Sequence, residues 1–353
     1  MKLCELETPA LVLDLDLLEQ NMAAMSKALE GGSARLRPHF KSNKCTAIAK
    51  RQMAAGAKGI TCAKLGEAEV LVEAGIPDIL IANQIVQPSK LMRLAYLARR
   101  ARITVCVDND ENIDALSRAA QAAGSVINVY IEYEAGMNRC GARTEEAVLR
   151  LAEHVKSAAH LHFGGIQSYA GNLSHVEDEN ERVKGLRAVE ARLKSLKEYL
   201  EAHGVAVEEI SGASTATAAF KAHGGIYTEL QAGSYLFMDS SYGACSLPFA
   251  HALTVRATVI SLSEDHVTVD VGVKNLTMDQ HAPVLAEDPS CALHFSEEHT
   301  DIRGLKAPKR LGDQVELIPG HCCTTVNTFD AIYVKRGGEI VGKWAIEGRG
   351  RSV

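Results

Sequence analysis

Apolar residues recur along most of the chain in short extended runs, separated by stretches of helical spacing. The first run is Thr8-Pro9-Ala10-Leu11-Val12-Leu13-Asp14. A helix is predicted over about 16–29, where Leu17, Leu18, Asn21, Met22 and Met25 fall at helical spacing. Strand-like runs follow at 35–41, 59–63, 78–83, 103–108, 127–132, 162–169, 209–214 and 228–235. Helical patterns lie between them, at 45–55, 89–101, 112–123, 144–157 and 181–202. Eight strands alternating with helices argue for a parallel sheet, and eight is the number that closes a (β/α)8 TIM-like barrel. Right-handed crossovers would put every helix outside it. A doubly wound open sheet is the alternative architecture.

After Tyr242 the pattern changes. Helical spacing gives way to extended runs at 252–261, 266–270, 314–318, 331–335 and 339–345, divided by Gly, Pro and Asp turns. This predicts a mostly-β second domain. Pro283, Pro289 and Pro308 punctuate a long connection inside it.

Composition narrows the function classes. A chain of 353 residues suggests two domains. A net charge of −6 leaves no electrostatic footprint for nucleic acid, and no basic run suits an anionic membrane. No apolar segment reaches the roughly 18 residues of a membrane span, and Glu5 interrupts the place of a signal-peptide core. Nine cysteines, an odd number without disulfide-like spacing, read as reduced thiols. The expectation is a soluble, cytoplasmic protein acting on a small molecule.

The chemistry gathers at predicted strand ends. Lys41 closes the first strand in Arg37-Pro38-His39-Phe40-Lys41-Ser42-Asn43-Lys44, where an α/β barrel places its reactive groups. Desolvation in a barrel mouth makes such an amine a usable nucleophile. Arg139, in Gly136-Met137-Asn138-Arg139-Cys140-Gly141, follows the fifth strand and falls at the same end of the barrel. Its guanidinium suits a carboxylate, a phosphate or a ring oxygen. Gly212-Ala213-Ser214-Thr215 and Ala232-Gly233-Ser234-Tyr235 follow strands seven and eight, whose loops commonly cradle phosphate in barrels. Gln167 and Tyr169 share a side of the sixth strand, so Tyr169 either packs on a planar cofactor or on the barrel wall. In the β-domain, Gly320-His321-Cys322-Cys323 puts His321 and Cys323 on one face of an extended backbone. Imidazole and thiolate form a metal-ligand pair, and two of them suit an open site completed by water and substrate.

Together these residues resemble the D-threonine aldolase and D-serine dehydratase family of pyridoxal-phosphate enzymes, with an alanine racemase-like fold. The resemblance rests on Thr8 to Asp14, Arg37 to Lys41, Arg139-Cys140-Gly141, Glu229 to Asp239, and His321-Cys322-Cys323 with Val326-Asn327. It implies an N-terminal strand (residues 1–15) joining the β-domain, a cofactor-binding barrel over 16–242 and a C-terminal β-domain over 243–353 that carries the metal. Lys41 would form the internal aldimine. Arg139, Gln167, Tyr169, Ser214, Thr215, Gly233, Ser234 and Tyr235 would hold the cofactor. His321 and Cys323 match the family's metal ligands, for Zn²⁺ or Mn²⁺ with Mg²⁺ as a further candidate, and family members form homodimers.

Two positions depart from the family pattern. Asn43 stands where the family usually has His, and Cys323 is a ligand type more typical of its dehydratases than of its aldolases. The resemblance therefore implies a metal-assisted lyase of D-β-hydroxy-α-amino acids. Retro-aldol cleavage to glycine and an aldehyde is placed first, and dehydration of D-serine or D-threo-3-hydroxyaspartate to a keto acid and ammonia second. A racemase and a cofactor carrier are further readings. A metal pair has no use in simple α-proton exchange, and a carrier would have no need of a β-domain.

Overall fold

The computed structural model describes residues 2–218 and 225–353. The chain packs as two compact units. One comprises the described parts of Ser26–Lys41, Ile48–Gly233 and Arg351–Val353, the other those of Met1–Met25, Ser42–Ala47 and Ser234–Gly350.

The first unit is the barrel. Its strands are β2 (Arg35–Leu36), β3 (Ile60–Cys62), β4 (Asp78–Ile81), β5 (Arg102–Val107), β6 (Ile127–Glu132), β7 (Leu161–Ser168), β8 (Glu209–Gly212) and β9 (Glu229–Leu230). β1 (Ala10–Asp14) belongs to the other unit. All neighbours are parallel, in the order β2-β9-β8-β7-β6-β5-β4-β3. The ring closes between β2 and β3 through a His39–Thr61 bridge. The Lys58 N–H donates to Leu36 O and the Thr61 N–H to Pro38 O, each at 2.9 Å. Closure and the barrel architecture answer the strand count read from the sequence, and the open-sheet alternative falls.

Continuous apolar runs make these strands, because a parallel sheet covered by helices is buried on both faces. Ile103, Val105, Cys106 and Val107 of β5 have no exposed surface. Helices α5 (Asp110–Ala123), α6 (Glu145–Ser157) and α7 (Glu179–Ala202) begin on side-chain caps. Asn109, Thr144 and Asp178 accept the N–H groups of Asn112, Ala147 and Glu181 respectively, which satisfies donors a helix start leaves free.

The second unit is mostly β. Its strands are β1 (Ala10–Asp14), β10 (Leu253–Leu262), β11 (His266–Val269), β12 (Val284–Leu285), β13 (Ala292–Phe295), β14 (Thr300–Arg303), β15 (Gln314–Ile318), β16 (Ala331–Arg336) and β17 (Glu339–Ala345). β1 lies inside the sheet, antiparallel to β10 and parallel to β16. The sequence reading missed β12 and the β13–β14 hairpin, which occupy the proline-punctuated connection. Residues of β13 alternate between exposed and half-buried, so no apolar run marks them. It also missed helix α10 (Cys322–Val326) in the stretch expected to be extended.

Candidate active site

Because the barrel strands are parallel, height along its axis follows residue order. Lowest is a charged plug built from residues around the strand starts. Arg37 donates to Asp78 Oδ1 at 2.8 Å and to Glu229 Oε1 at 2.9 Å. Lys58 pairs with Glu229 at 2.8 Å and also with Glu209. Burial disfavours the Glu229 charge, yet Arg37 and Lys58 hold its carboxyl below the ordinary value. Gly59 is required here, since a Cβ would sit 2.4 Å from the Arg37 guanidinium.

Above the plug, the amide of buried Gln167 accepts from Gln231 Nε2 at 2.5 Å, and Gln231 also donates to Ser211 Oγ at 2.9 Å. Gln167 therefore belongs to a closed amide layer, while Tyr169, just past the end of β7, stands higher.

At the C-terminal mouth, Lys41 and Arg139 meet one aromatic ring. Lys41 Nζ lies 5.6 Å and Arg139 Cζ 6.0 Å from the centre of Tyr169. The Tyr169 hydroxyl is 3.2 Å from Ser174 Oγ, and Gly171 lets the ring pack, because a Cβ there would meet it at 2.5 Å. Lys41 is not the last residue of a strand. It lies in a 3-10 turn, Phe40–Ser42, beyond the final ladder contact at His39, and it is exposed rather than buried. Among the described residues, no carboxylate pairs with its amine.

Arg139 rides on a braced loop. Tyr133 and Ala142 form a bridge across its base, and the Glu134 carboxylate accepts the N–H groups of Gly136 (2.6 Å) and Asn138 (2.7 Å). Glu132, a residue the sequence reading passed over, lies 3.8 Å from Arg139 and accepts from Gln84 Nε2 at 2.6 Å. Burial raises its carboxyl above the ordinary value, against the pull of Gln84 and Arg139.

The expected phosphate loops are only partly free. Ser214 precedes a single turn, α8 (Thr215–Ala218), and its N–H donates to Thr217 Oγ1 at 2.8 Å, so it is not an open donor. Both Ser214 and Thr215 are buried. The eighth strand ends at Leu230, and Gly233 precedes a 3-10 turn, Ser234–Leu236, rather than ending a strand. The Tyr235 ring is buried against Phe249, with ring centres 5.8 Å apart.

In the β-rich unit, His321 has extended backbone but Cys322 starts α10, so the same-face argument from an extended chain does not hold. The helix forms because Asp239 Oδ2 accepts the Cys322 N–H at 2.8 Å and the His321 carbonyl accepts the Thr325 N–H. The His321 and Cys323 side chains still hydrogen-bond one another. Ser234 Oγ lies 3.7 Å from Cys323 Sγ. His321 Nδ1 contacts Asp279 Oδ2 at 2.7 Å, and Thr324 donates to the other Asp279 oxygen at 2.7 Å. Burial works against the His321 charge, but Cys323 and Asp279 together push its pKa up to about 9. Among the described residues, no three or more His, Cys, Asp or Glu side chains converge as a metal-binding group.

Asn43 is fully buried. Its Oδ1 accepts the Cys45 N–H at 3.0 Å, and its Nδ2 has no hydrogen-bond partner among the described residues. Among the described residues, no helix is long and apolar enough to cross a membrane.

The barrel cluster suits a planar, anionic aldehyde: an exposed amine without a counter-ion, an aromatic face and a braced guanidinium. Comparison with known proteins points the same way. A model of the alanine racemase N-terminal domain matches residues 13–241, and a putative serine dehydratase domain matches 252–335. A D-threonine aldolase of Arthrobacter sp. is 40% identical over 99% of this chain and 94% of its own length. The crystal structure of a D-threonine aldolase from Filomicrobium marinum superposes with a TM-score of 0.97 at 40% identity, covering 99% of this chain and 98% of that one. A D-threo-3-hydroxyaspartate dehydratase from Delftia sp. HT23 superposes at 0.87 with 28% identity, covering 98% of each chain.

Proposed function

The chain belongs to the fold-type III pyridoxal-phosphate enzymes related to D-threonine aldolase, D-serine dehydratase and alanine racemase, and from that premise we propose a retro-aldol lyase of D-β-hydroxy-α-amino acids. The observation that carries this reading is the meeting of Lys41 and Arg139 over the Tyr169 ring at the barrel mouth.

Pyridoxal phosphate, when bound, supplies the electron sink that lets a bond at Cα break. Lys41 would provide the amine that holds its aldehyde, and among the described residues no carboxylate pairs with Nζ. Arg139, braced by its loop, offers a fixed positive group to the cofactor ring or the substrate carboxylate. Tyr169 gives a planar wall, and Ser214, Thr215, Gly233 and Ser234 are the proposed phosphate residues. Both the N–H and the hydroxyl of Ser214 contact Thr217 Oγ1, at 2.8 and 3.2 Å, so its hydroxyl would serve the phosphate while sharing that partner. Gln167 acts from beneath, through the amide layer, and Tyr235 through packing.

His321 and Cys323 fit as the two protein donors of an open divalent-metal site, a Zn²⁺ or Mn²⁺ supplying Lewis-acid polarisation of a substrate oxygen. Asn43 cannot take a proton from the substrate hydroxyl, because an amide is not a base, so that proton leaves by another group. We propose a cytoplasmic homodimer.

A second reading is supported by Cys323. A thiolate favours Zn²⁺ over Mn²⁺, and in a dehydratase Lys41 Nζ would take the α-proton while the β-hydroxyl departs. Product analysis on D-threonine separates the two, using cofactor-loaded protein supplied with Mn²⁺ or Zn²⁺. Glycine plus acetaldehyde is the result expected. Oxobutanoate plus ammonia would replace the aldolase reading with the dehydratase.

A further inference from the structure

Asp279 lies 42 residues before His321 in the chain, on an exposed loop, yet both its oxygens are engaged. Exposed carboxylates usually sample many positions, so this fixed geometry needs a cause. Three contacts supply it. Thr277 Oγ1 lies 2.6 Å from Thr324 Oγ1 and 2.9 Å from Thr325 Oγ1, tying the loop to the first turn of α10. The same hydroxyl donates to the His321 carbonyl at 3.3 Å. On the other side, Gly320 lies so close that a Cβ would sit 1.8 Å from the His281 carbonyl and 2.8 Å from that of Thr277. The loop from 277 to 281 therefore brackets His321 from both sides, and only glycine at 320 lets it approach.

An ionised carboxylate can only accept, so the proton shared at 2.7 Å belongs to His321 Nδ1. We propose that Asp279 is a positioning residue for His321: it fixes the tautomer with Nδ1 protonated and turns Nε2 into the nitrogen offered to a divalent cation. Thr324, by donating to the second oxygen, keeps Asp279 in line. A carboxylate behind a ligating imidazole also raises its basicity, and losing such a partner typically weakens metal affinity about 10–100-fold.

The inference rests on the reading of His321 and Cys323 as the cation ligands, so the test carries both. Mn²⁺ is titrated into the cofactor-loaded full chain, following the free-ion paramagnetic resonance signal, for wild type, D279N, D279E, T324V and H321A. D279N is expected to weaken Mn²⁺ binding about 10–100-fold, with D279E recovering part of the loss and T324V losing less than D279N. Nitrogen-15 spectra of the Zn²⁺-loaded protein are expected to show His321 with Nδ1 protonated and Nε2 ligating in wild type, and a mixture of the two ring arrangements in D279N. A merely structural role would move neither the tautomer nor, in a folded variant, the affinity. Wild-type affinity in D279N and T324V, with binding lost in H321A, would overturn the positioning role alone. Wild-type affinity in H321A would overturn the metal reading and the role of Asp279 with it.

Discussion

At the lower end of the barrel, Arg37 and Lys58 are matched to Asp78, Glu209 and Glu229, with the Arg37 and Glu229 side chains buried. At the mouth, Lys41 and Arg139 share an aromatic ring, and the arginine alone has a carboxylate nearby, Glu132 at 3.8 Å. Both ends use cations, but to different purposes. Below, every charge contacts an opposite protein charge, two cations among three carboxylates, and the result is a plug. Above, an amine has no counter-ion among the described residues and a guanidinium is half-exposed, which is wasteful for stability and useful for binding an anion. The contrast assigns structure to one end and chemistry to the other.

The contrast can be broken most sharply at Lys41. Lys41→Ala is expected to lower turnover of D-threonine by more than about 10²-fold, because the amine that would hold the cofactor covalently is lost. Its melting free energy should stay within about 0.5 kcal/mol of wild type, as for other exposed substitutions. A large loss of stability in denaturant titration would erase the distinction between the ends. Arg37→Met is the mirror experiment. Removing Arg37 leaves buried Glu229 with Lys58 as its remaining cation, so a loss of up to about 3–5 kcal/mol is expected in urea unfolding. Turnover per folded molecule should be unchanged, and a selective loss of turnover would place Arg37 in the chemistry.

The outer surface supplies a third, weaker case. His154 bridges Asp110 at 2.8 Å and Asp114 at 3.0 Å, linking α5 to α6. Asp110 raises the His154 pKa against the cost of burial, and Asp114 adds to the rise. Arg150 and then His154 lower that of Asp110. A raised histidine contributes stability that is fully present below its ordinary value of 6.5 and is lost as pH rises through the folded value. The lowered aspartate contributes above 3.8 and loses its share as pH falls through its own folded value. His154→Gln should therefore cost up to about 1 kcal/mol near pH 5 and much less near pH 9, checked by melting at both. Equal costs at the two pH values would show packing rather than charge.

How far the sequence reached follows the same physics. Barrel strands were legible because burial on both faces writes a continuous apolar run, as in β5, whose last five residues are all buried. The β13–β14 hairpin was not, because Ala292 to Phe295 alternates at a half-exposed edge between prolines. Lys41 and Arg139 announced themselves by position after strands. Glu132 and Asp279 did not: a carboxylate's partner 42 residues away leaves no local signature. His321 and Cys323 were picked from spacing, but their geometry comes from a helical turn that Asp239 starts by binding the Cys322 N–H. Side-chain hydrogen bonds from distant elements decided each of these cases.

The central claim is that the amine of Lys41 holds the cofactor. Borohydride reduction of the cofactor-loaded protein, followed by peptide mapping, tests it directly. One cofactor mass on the peptide containing Lys41, absent in Lys41→Ala, is the predicted result. The same mass on a different lysine, such as buried Lys44 beside the Gly348 carbonyl, would contradict the account.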